Sequence, residues 1–247
     1  SARDIYELLH KKGIEIEAKQ FAMGIRVEHP QELINSIQYH DAMCETLPPA
    51  AYALVSRVKD RGVYSFCMCP GGIIAPCATA PGEIVVNGWS PSKRNNPYAN
   101  SGMVVQIDLP TAAKFLKQAT KKEVDLNHPL LLLEFQQYVE HQAFKSGGGL
   151  QVAPAARLVD FCTHKLSNDL PDASYLPGLH SADLSDVLPK FVHETLQNGF
   201  MAFGKKMKGY YTNDAIVVAT ESRTSSPVRI PRDVESCQHP QIKNLYA

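Results

Sequence analysis

The sequence predicts an α+β protein: an antiparallel or mixed β-sheet layer, its strands mostly in the first half, packed with helices mostly in the second. Three observations predict it. Short apolar runs divided by turn residues crowd the stretch from Tyr52 to Trp89, and helical periodicity dominates beyond Thr111. No Gly-x-Gly-x-x-Gly string occurs in the 247 residues, so no complete Rossmann dinucleotide-binding fold is encoded.

The elements follow in order. Ile5, Leu8 and Leu9 recur at i, i+3, i+4 across residues 2–12 and the pattern stops at Gly13, an amphipathic helix. Phe21, Met23, Ile25 and Val27 alternate with Ala22, Gly24, Arg26 and Glu28, the period of a half-buried strand. Pro30 suits the first position of a helix bearing Leu33, Ile34 and Ile37 on one face. Residues 52–58, 63–69, 73–79 and 84–89 are strand-like, separated by Lys59-Asp60-Arg61-Gly62, Pro70-Gly71-Gly72 and Ala80-Pro81-Gly82, which predicts an antiparallel meander. Residues 90–101 read as a long loop and 103–109 as a strand. Helices are predicted over 111–120, 130–145 and 157–165, with a helix pair over 183–206 divided at Pro189. Residues 214–220 form a short apolar strand buried on both faces, and a polar, Arg-bearing tail follows over 221–233. The expected division is a β-rich part over 1–109, a mainly helical part over 110–213, and a strand with polar tail over 214–247.

Composition narrows the function. Lys plus Arg and Asp plus Glu number 25 each, a balance that argues against nucleic acid as partner. The densest apolar run, Leu130 to Leu133, is far too short to span a bilayer, so no membrane partner is expected. Six Cys in a chain of this size make no disulfide scaffold and point to a cytoplasmic, reduced setting. The opening Ser-Ala-Arg-Asp, without Met, suggests a piece of something longer.

Three strings bear on chemistry. In Cys67-Met68-Cys69-Pro70-Gly71-Gly72, a strand would project Cys67 and Cys69 to one face, with Cys77 across the turn. The readings are small buried hydrophobes at a tight turn, a cofactor-facing turn, redox-active thiols, or zinc ligands lacking an evident fourth member. Residues 221–232 run from a buried strand into hydroxyls and guanidiniums (Arg223, Thr224, Ser225, Ser226, Arg229). This is either an anion site or a solvated loop with Arg223 paired to an acid. Gly147-Gly148-Gly149 is a helix stop or a ligand-approach loop. Gly199 to Lys206 approaches a P-loop in spacing but lies in a helical pattern with a bulky middle, and no His-Glu-x-x-His or Gly-x-Ser-x-Gly is present.

Taken in order, these strings resemble the uncharacterised bacterial FAD-dependent dehydrogenases, whose Rossmann-type FAD domain is interrupted by a large insert. The residues carrying the resemblance are Ser1-Ala2-Arg3-Asp4, residues 21–31, Asn95 to Ser101, Cys67 to Gly72, Gly147-Gly148-Gly149 with Ala153-Pro154, and Glu221 to Asp233. The family's two Gly-rich FAD segments have no counterpart here. The resemblance implies the substrate, or insert, domain of a parent that transfers hydride between a substrate carbon and flavin N5. The insert would orient substrate and exclude water. By the same resemblance Ser1, Arg3, Cys67, Cys69, Gly71, Gly72, Thr224, Ser225 and Ser226 would face the cofactor, and Arg223, Arg229, Asn100 and Ser101 the small-molecule substrate. FAD is then expected in the parent and not on this chain alone, with the absent FAD domain as partner and self-association through the uncovered face. The competing expectations are a stand-alone thiol-redox or zinc domain, raised by Cys67, Cys69 and Cys77, and a non-catalytic interaction module.

Overall fold

The computed structural model describes residues 3–40 and 46–246. In chain order its elements are α1 (Arg3–Lys11), β1 (Glu17–Ala18), β2 (Phe21–Pro30), α2 (Gln31–Tyr39), β3 (Val55–Val58), β4 (Arg61–Cys69), β5 (Ile73–Pro76), β6 (Val86–Trp89) and β7 (Tyr98–Ile107). Then follow α3 (Leu109–Thr120), α4 (Leu131–Ser146), β8 (Ala153–Arg157), α5 (Leu158–Cys162), β9 (Leu179–Ser181), α6 (Lys190–Lys206), β10 (Ile216–Glu221) and β11 (Val228–Arg229). The fold is α+β with a mixed sheet, its strands mostly in the first half. The chain divides into two compact units, one of Ala22–Gln106 and Val139–Thr224, the other of Ser1–Phe21, Ile107–Tyr138 and Ser225–Ala247.

The larger unit is built on a seven-stranded sheet of order β3-β4-β7-β2-β10-β8-β9. The pairs β3–β4, β4–β7, β2–β10 and β8–β10 are antiparallel, and β9 joins β8 in parallel. β10 is buried at every position, as its apolar run predicts. β2 is buried on both faces too, correcting the half-buried strand that its alternation suggests. The reason is what meets that face: Arg26 donates to Asn87 of β6 and to Glu221, and Glu28 accepts from Ser174, so both lie inward with the apolar residues.

The expected four-run meander is broken at its middle. β3 and β4 form a hairpin in the large sheet, but β5 and β6 pair separately with each other. Between them Gly71 adopts φ +54° and the Gly72 N–H bonds to the Tyr98 carbonyl at 3.1 Å, turning the chain away so that β4 takes β7 as its next neighbour. The supposed loop over 90–101 accordingly ends early, at Tyr98, where β7 begins. β8 and β9 carry no clear strand signal. β8 reads Ala-Pro-Ala-Ala-Arg, and its Pro154 is tolerated because β10 pairs only with Ala155 to Arg157. The helix pair over 183–206 reduces to α6: Pro189 disfavours helical backbone at Leu188, and Asp183 accepts from the Ser185 N–H at 2.9 Å in a turn. α6 packs on β3 and β4 and carries the P-loop-like string within its helix.

In the smaller unit β1 and β11 form a two-stranded ribbon, pairing Glu17 with Arg229 and Ala18 with Val228. Ile16, Leu130, Leu133 and Val228 form its core, with Tyr6, Leu9 and Ile230 against them. α3 is capped by Asp108, whose carboxylate accepts from the Thr111 N–H at 2.9 Å. Among the described residues no helix is long and apolar enough to cross a membrane.

Candidate functional site

The larger unit holds a fully buried charged cluster centred on Arg26 of β2. Its Nε donates to Asn100 Oδ1 at 2.7 Å and its Nη1 to Asn87 Oδ1 at 3.2 Å and to Glu221 Oε2. Nη2 donates to the Cys67 carbonyl and lies 3.6 Å from Cys69 Sγ. The Arg26 and Glu221 side chains are both 0% exposed. Removing two charges from water costs several kcal/mol per ion, so the pair persists only because nearly every guanidinium donor has a partner. Gly88 makes the space: a Cβ there would stand 2.1 Å from Nη2. Burial pushes the Glu221 carboxyl above its ordinary pKa, and the Arg26 charge pulls it back. Two atoms of the cluster, Asn100 Nδ2 and Glu221 Oε1, are buried without a hydrogen-bond partner among the described residues.

β4 shapes one wall. Its register against β7 shifts between Phe66, opposite Gly102, and Cys69, opposite Asn100, leaving one extra residue. Cys67 takes φ +47°, its carbonyl turns onto Arg26, and its side chain is exposed, whereas Cys69 is buried. This corrects the expectation that the two thiols share a face: the bulge breaks the two-residue period. Cys69 Sγ donates to the Cys67 carbonyl at 3.3 Å, and burial pushes the Cys69 thiol up, against Arg26. A raised thiol pKa is the wrong direction for a reactive thiolate. Among the described residues no group of three or more His, Cys, Asp or Glu could hold a metal ion.

A second buried cluster surrounds Arg223. Its Nε donates to Glu140 Oε1 at 3.0 Å and its Nη2 to Glu140 Oε2 at 3.2 Å and Thr79 Oγ1 at 3.3 Å, and Glu83 Oε2 lies 3.6 Å away. Ser222 Oγ donates to the same Glu140 carboxylate. An incoming anion would therefore compete with two carboxylates for Arg223. Cys77, partly exposed, is raised mainly by burial and next by the Glu221 charge, with Arg223 opposing; its thiol thus feels both clusters. Further along β2, Glu28 accepts from the Ser174 N–H at 2.7 Å and from the Ser174 hydroxyl, and burial lifts its pKa to about 7.

The sequence-predicted residues distribute as follows. Cys67, Cys69 and Asn100 meet around Arg26. Ser101 Oγ donates to the Phe66 carbonyl at 3.3 Å, and Gly71 N–H to Gln31 Oε1 at 2.7 Å. Thr224 Oγ1 donates to the Ala22 carbonyl at 2.7 Å. Arg3, Ser225, Ser226 and Arg229 belong to the smaller unit. There Arg3 donates to Gln136 Oε1 at 2.9 Å, Ser226 to the Tyr6 hydroxyl at 2.9 Å, and Arg229 Nε to Glu17 Oε2 at 2.8 Å. Ser1 lies outside the described residues. Arg26 and Asn87 were not singled out by sequence; the available signal was a lone guanidinium inside a strand of otherwise apolar alternation.

At Gly71, Gly72, Gly147 and Gly148 the space of a side chain is filled by the chain itself. A Cβ on Gly71 would lie 1.8 Å from the Arg94 carbonyl oxygen, and one on Gly72 2.6 Å from that of Trp89. Gly147 N–H bonds to Ala143 O and Gly148 N–H to Val152 O, so those amides serve the end of α4. These four amides are therefore taken, while Gly149, at φ +81°, has open space where a Cβ would stand.

Comparison with known proteins adds two findings. The family model described as "FAD-dependent protein, C-terminal domain-like" matches residues 20–224. A protein of Clostridium beijerinckii, named only as an uncharacterized protein, is 40% identical over 251 residues. The alignment takes in 100% of this chain but 45% of that protein's length.

Proposed function

The chain belongs to the FAD-dependent protein, C-terminal domain-like family, and from that premise we propose that it is the substrate-side domain of a longer cytoplasmic flavin-dependent dehydrogenase. The observation carrying this reading is the buried Arg26–Glu221 pair with Asn100 Nδ2 and Glu221 Oε1 unpartnered beside it, directly behind the exposed Cys67 turn. A protein that encloses two charges with spare hydrogen-bonding atoms has placed polarity where packing alone would not. The Gly71-Gly72 turn, filled by backbone, does not fit the diphosphate of FAD. In this reading the cofactor is gripped by a separate FAD-binding domain, and no chemical step is assigned to residues of this chain.

What these residues do is orient and enclose. Arg26 locks the Cys67 carbonyl and Asn100 in place, and the turn from Cys67 to Gly72 presents a rigid edge toward the flavin side. Arg223, held by Glu140 and Glu83, keeps the adjoining wall charged yet balanced, suited to a small polar substrate more than to a strong anion. Leu150 and Leu176, 85% and 90% exposed, stand on segments joined by Tyr175 O–H to the Gln151 carbonyl at 2.8 Å. We assign them to the surface that the FAD domain covers and through which the isolated chain self-associates. Two measurements test the reading. The purified chain should carry no flavin, whereas in a longer protein containing it Cys67→Trp should change the visible flavin band at unchanged flavin content. Near-stoichiometric flavin on the chain alone, or an unaltered band in that variant, would overturn it.

A further inference from the structure

In the larger unit α5 is joined to β9 by residues 163–178, a connection without helix or strand. Connections longer than about 12–15 residues with no regular structure are uncommon in compact domains, and lids and binding loops are among them. Both ends of this one are fixed. At its start the Ser167 hydroxyl donates to Asp160 Oδ2 at 2.9 Å, and Arg157 donates to Asp169 from Nε to Oδ1 and from Nη2 to Oδ2, each at 3.1 Å. At its finish the Gly178 carbonyl accepts from Ala153 N–H at 3.1 Å, and β9 pairs with β8. Within 163–178 only Ser167, Ser174 and Tyr175 are buried.

Ser174 fastens the middle. Its N–H donates to Glu28 Oε1 at 2.7 Å and its hydroxyl donates to Glu28 Oε2, while its Oγ accepts from the Ile74 N–H of β5 at 2.7 Å. One serine thus ties the connection to both β2 and β5, and it meets both oxygens of a carboxyl that is 2% exposed. That carboxyl has no cation of its own, since Arg26, two residues earlier on the same face, is committed to Glu221. The other ionisable groups around it are Tyr98 of β7 and Asp172 of the connection; burial and then the charges of Glu28 and Asp172 push the Tyr98 hydroxyl up. β5 and β6 bring no ionisable side chain, and His29 is turned to the Tyr210 carbonyl, which its Nε2 meets at 2.8 Å.

We propose that residues 163–178 are a strap that the neutral Glu28 carboxyl holds shut and that ionisation of Glu28 releases. An enclosed carboxyl without a countercharge is tolerable when neutral and costly when ionised, whereas lifting Ser174 away lets water solvate the carboxylate. Burial accordingly outweighs the two Ser174 hydrogen bonds and the Arg26 charge, and lifts Glu28 from 4.5 to about 7. The closed strap therefore binds the proton more tightly than the open one, and opening becomes easier as pH rises between those values. Leu176, 90% exposed, rides on the strap. If the FAD domain covers it, docking and protonation of Glu28 favour the same closed state; this last step alone rests on the flavin reading.

The amides of Ser174 and Ile74 lose their partners when the strap lifts, so their hydrogen exchange reports it. The experiment follows both by NMR on the whole chain, corrected for the intrinsic pH dependence of exchange, with amides inside β10 as the reference for unfolding of the unit. Both should exchange faster than β10, and their protection should fall about tenfold between about pH 5.5 and about pH 7.5. Glu28→Gln, whose amide can keep both contacts with Ser174, should abolish that fall. Ser174→Ala removes the hydroxyl and should lower the protection of Ile74 at both pH values. Protection equal to that of β10 would mean that the strap opens only when the unit unfolds, and it overturns the proposal. So does a flat pH profile, an equal fall in Glu28→Gln, or an unchanged Ile74 in Ser174→Ala; the profile and the serine variant decide the matter even if Glu28→Gln does not fold. No flavin enters the measurement, so failure of the flavin reading leaves its outcome untouched.

Discussion

Arg26 and Arg229 each meet a glutamate through a short, charge-assisted contact, yet the two pairs occupy opposite physical regimes. Arg26 and Glu221 are both 0% exposed, whereas Arg229 and Glu17 are 62% and 39% exposed. In the first pair the charges have been stripped of water and depend on each other and on Asn87, Asn100 and the Cys67 carbonyl. In the second, water supports each charge whether or not its partner is present. The same chemistry is therefore structurally obligatory in one place and dispensable in the other. This difference separates the buried cluster of the larger unit from the exposed β1–β11 ribbon of the smaller.

The sharpest way to break the comparison is to delete one partner. Arg26→Met leaves Glu221 buried without a countercharge and should cost about 3–5 kcal/mol of stability by urea denaturation. Adding Glu221→Leu should regain part of the loss, with the stranded Asn87 and Asn100 acceptors accounting for the remainder. A loss in Arg26→Met no greater than that of a surface pair would mean that water reaches the cluster.

Next in size is a pH effect on the same strand. Burial raises Glu28 from 4.5 to about 7, so the unfolded chain releases its proton first and stability falls as pH rises through that window, by on the order of 3 kcal/mol. Neighbouring His29 is lowered by burial from 6.5 to about 4, so its contribution runs the other way: stability is lost as pH falls through that range. Between about 4.5 and 6.5 the two nearly cancel. Glu28→Gln should therefore expose a stability that rises with pH across this interval, measured by urea midpoints. A profile parallel to that of the unaltered chain would show that Glu28 is ionised in the fold.

How far these features were legible follows from what periodicity can encode. β10 is apolar from Ile216 to Ala219, and burial of that stretch on both faces is readable because a continuous run of Ile, Val and Ala has no polar side to expose; that Thr220 and Glu221 are buried with it is not. β2 suggests a half-buried strand because Arg26 and Glu28 mimic a wet face; only groups distant in sequence, Asn87 and Glu221 at Arg26 and Ser174 at Glu28, make that face interior. The string from Cys67 to Gly72 stood out as unusual, and it does border the Arg26 cluster. Its bulge was invisible, because a left-handed residue at a Cys violates local preference and is held by a bond from another strand. Arg223 was recognised as chemically capable, but its partners Glu83 and Glu140 lie far away in the chain.

That bulge gives the third prediction. A side chain held at φ +47° carries about 1 kcal/mol of conformational cost that glycine does not. Cys67→Gly should thus stabilise the chain slightly, the gain offset in part by the greater freedom of glycine when unfolded. Cys67→Val, β-branched, should destabilise it by more than the glycine gains. If both substitutions lowered stability equally, the thiol itself would be making the difference.

The smallest expected effect completes the comparison. Arg229→Met removes the guanidinium from Glu17, but both side chains remain substantially hydrated, so the loss should be about 0.5 kcal/mol or less. Raising salt should shrink even that, since ions screen an exposed pair at the distances involved, whereas the Arg26→Met penalty should scarcely respond. The two substitutions measured at low and high salt thus form a cycle in which burial is the main variable. A large, salt-insensitive loss at Arg229 would mean that the β1–β11 ribbon depends on this pair for its shape. Arg229 would then be a structural element of the ribbon in the sense in which Arg26 is one of the sheet.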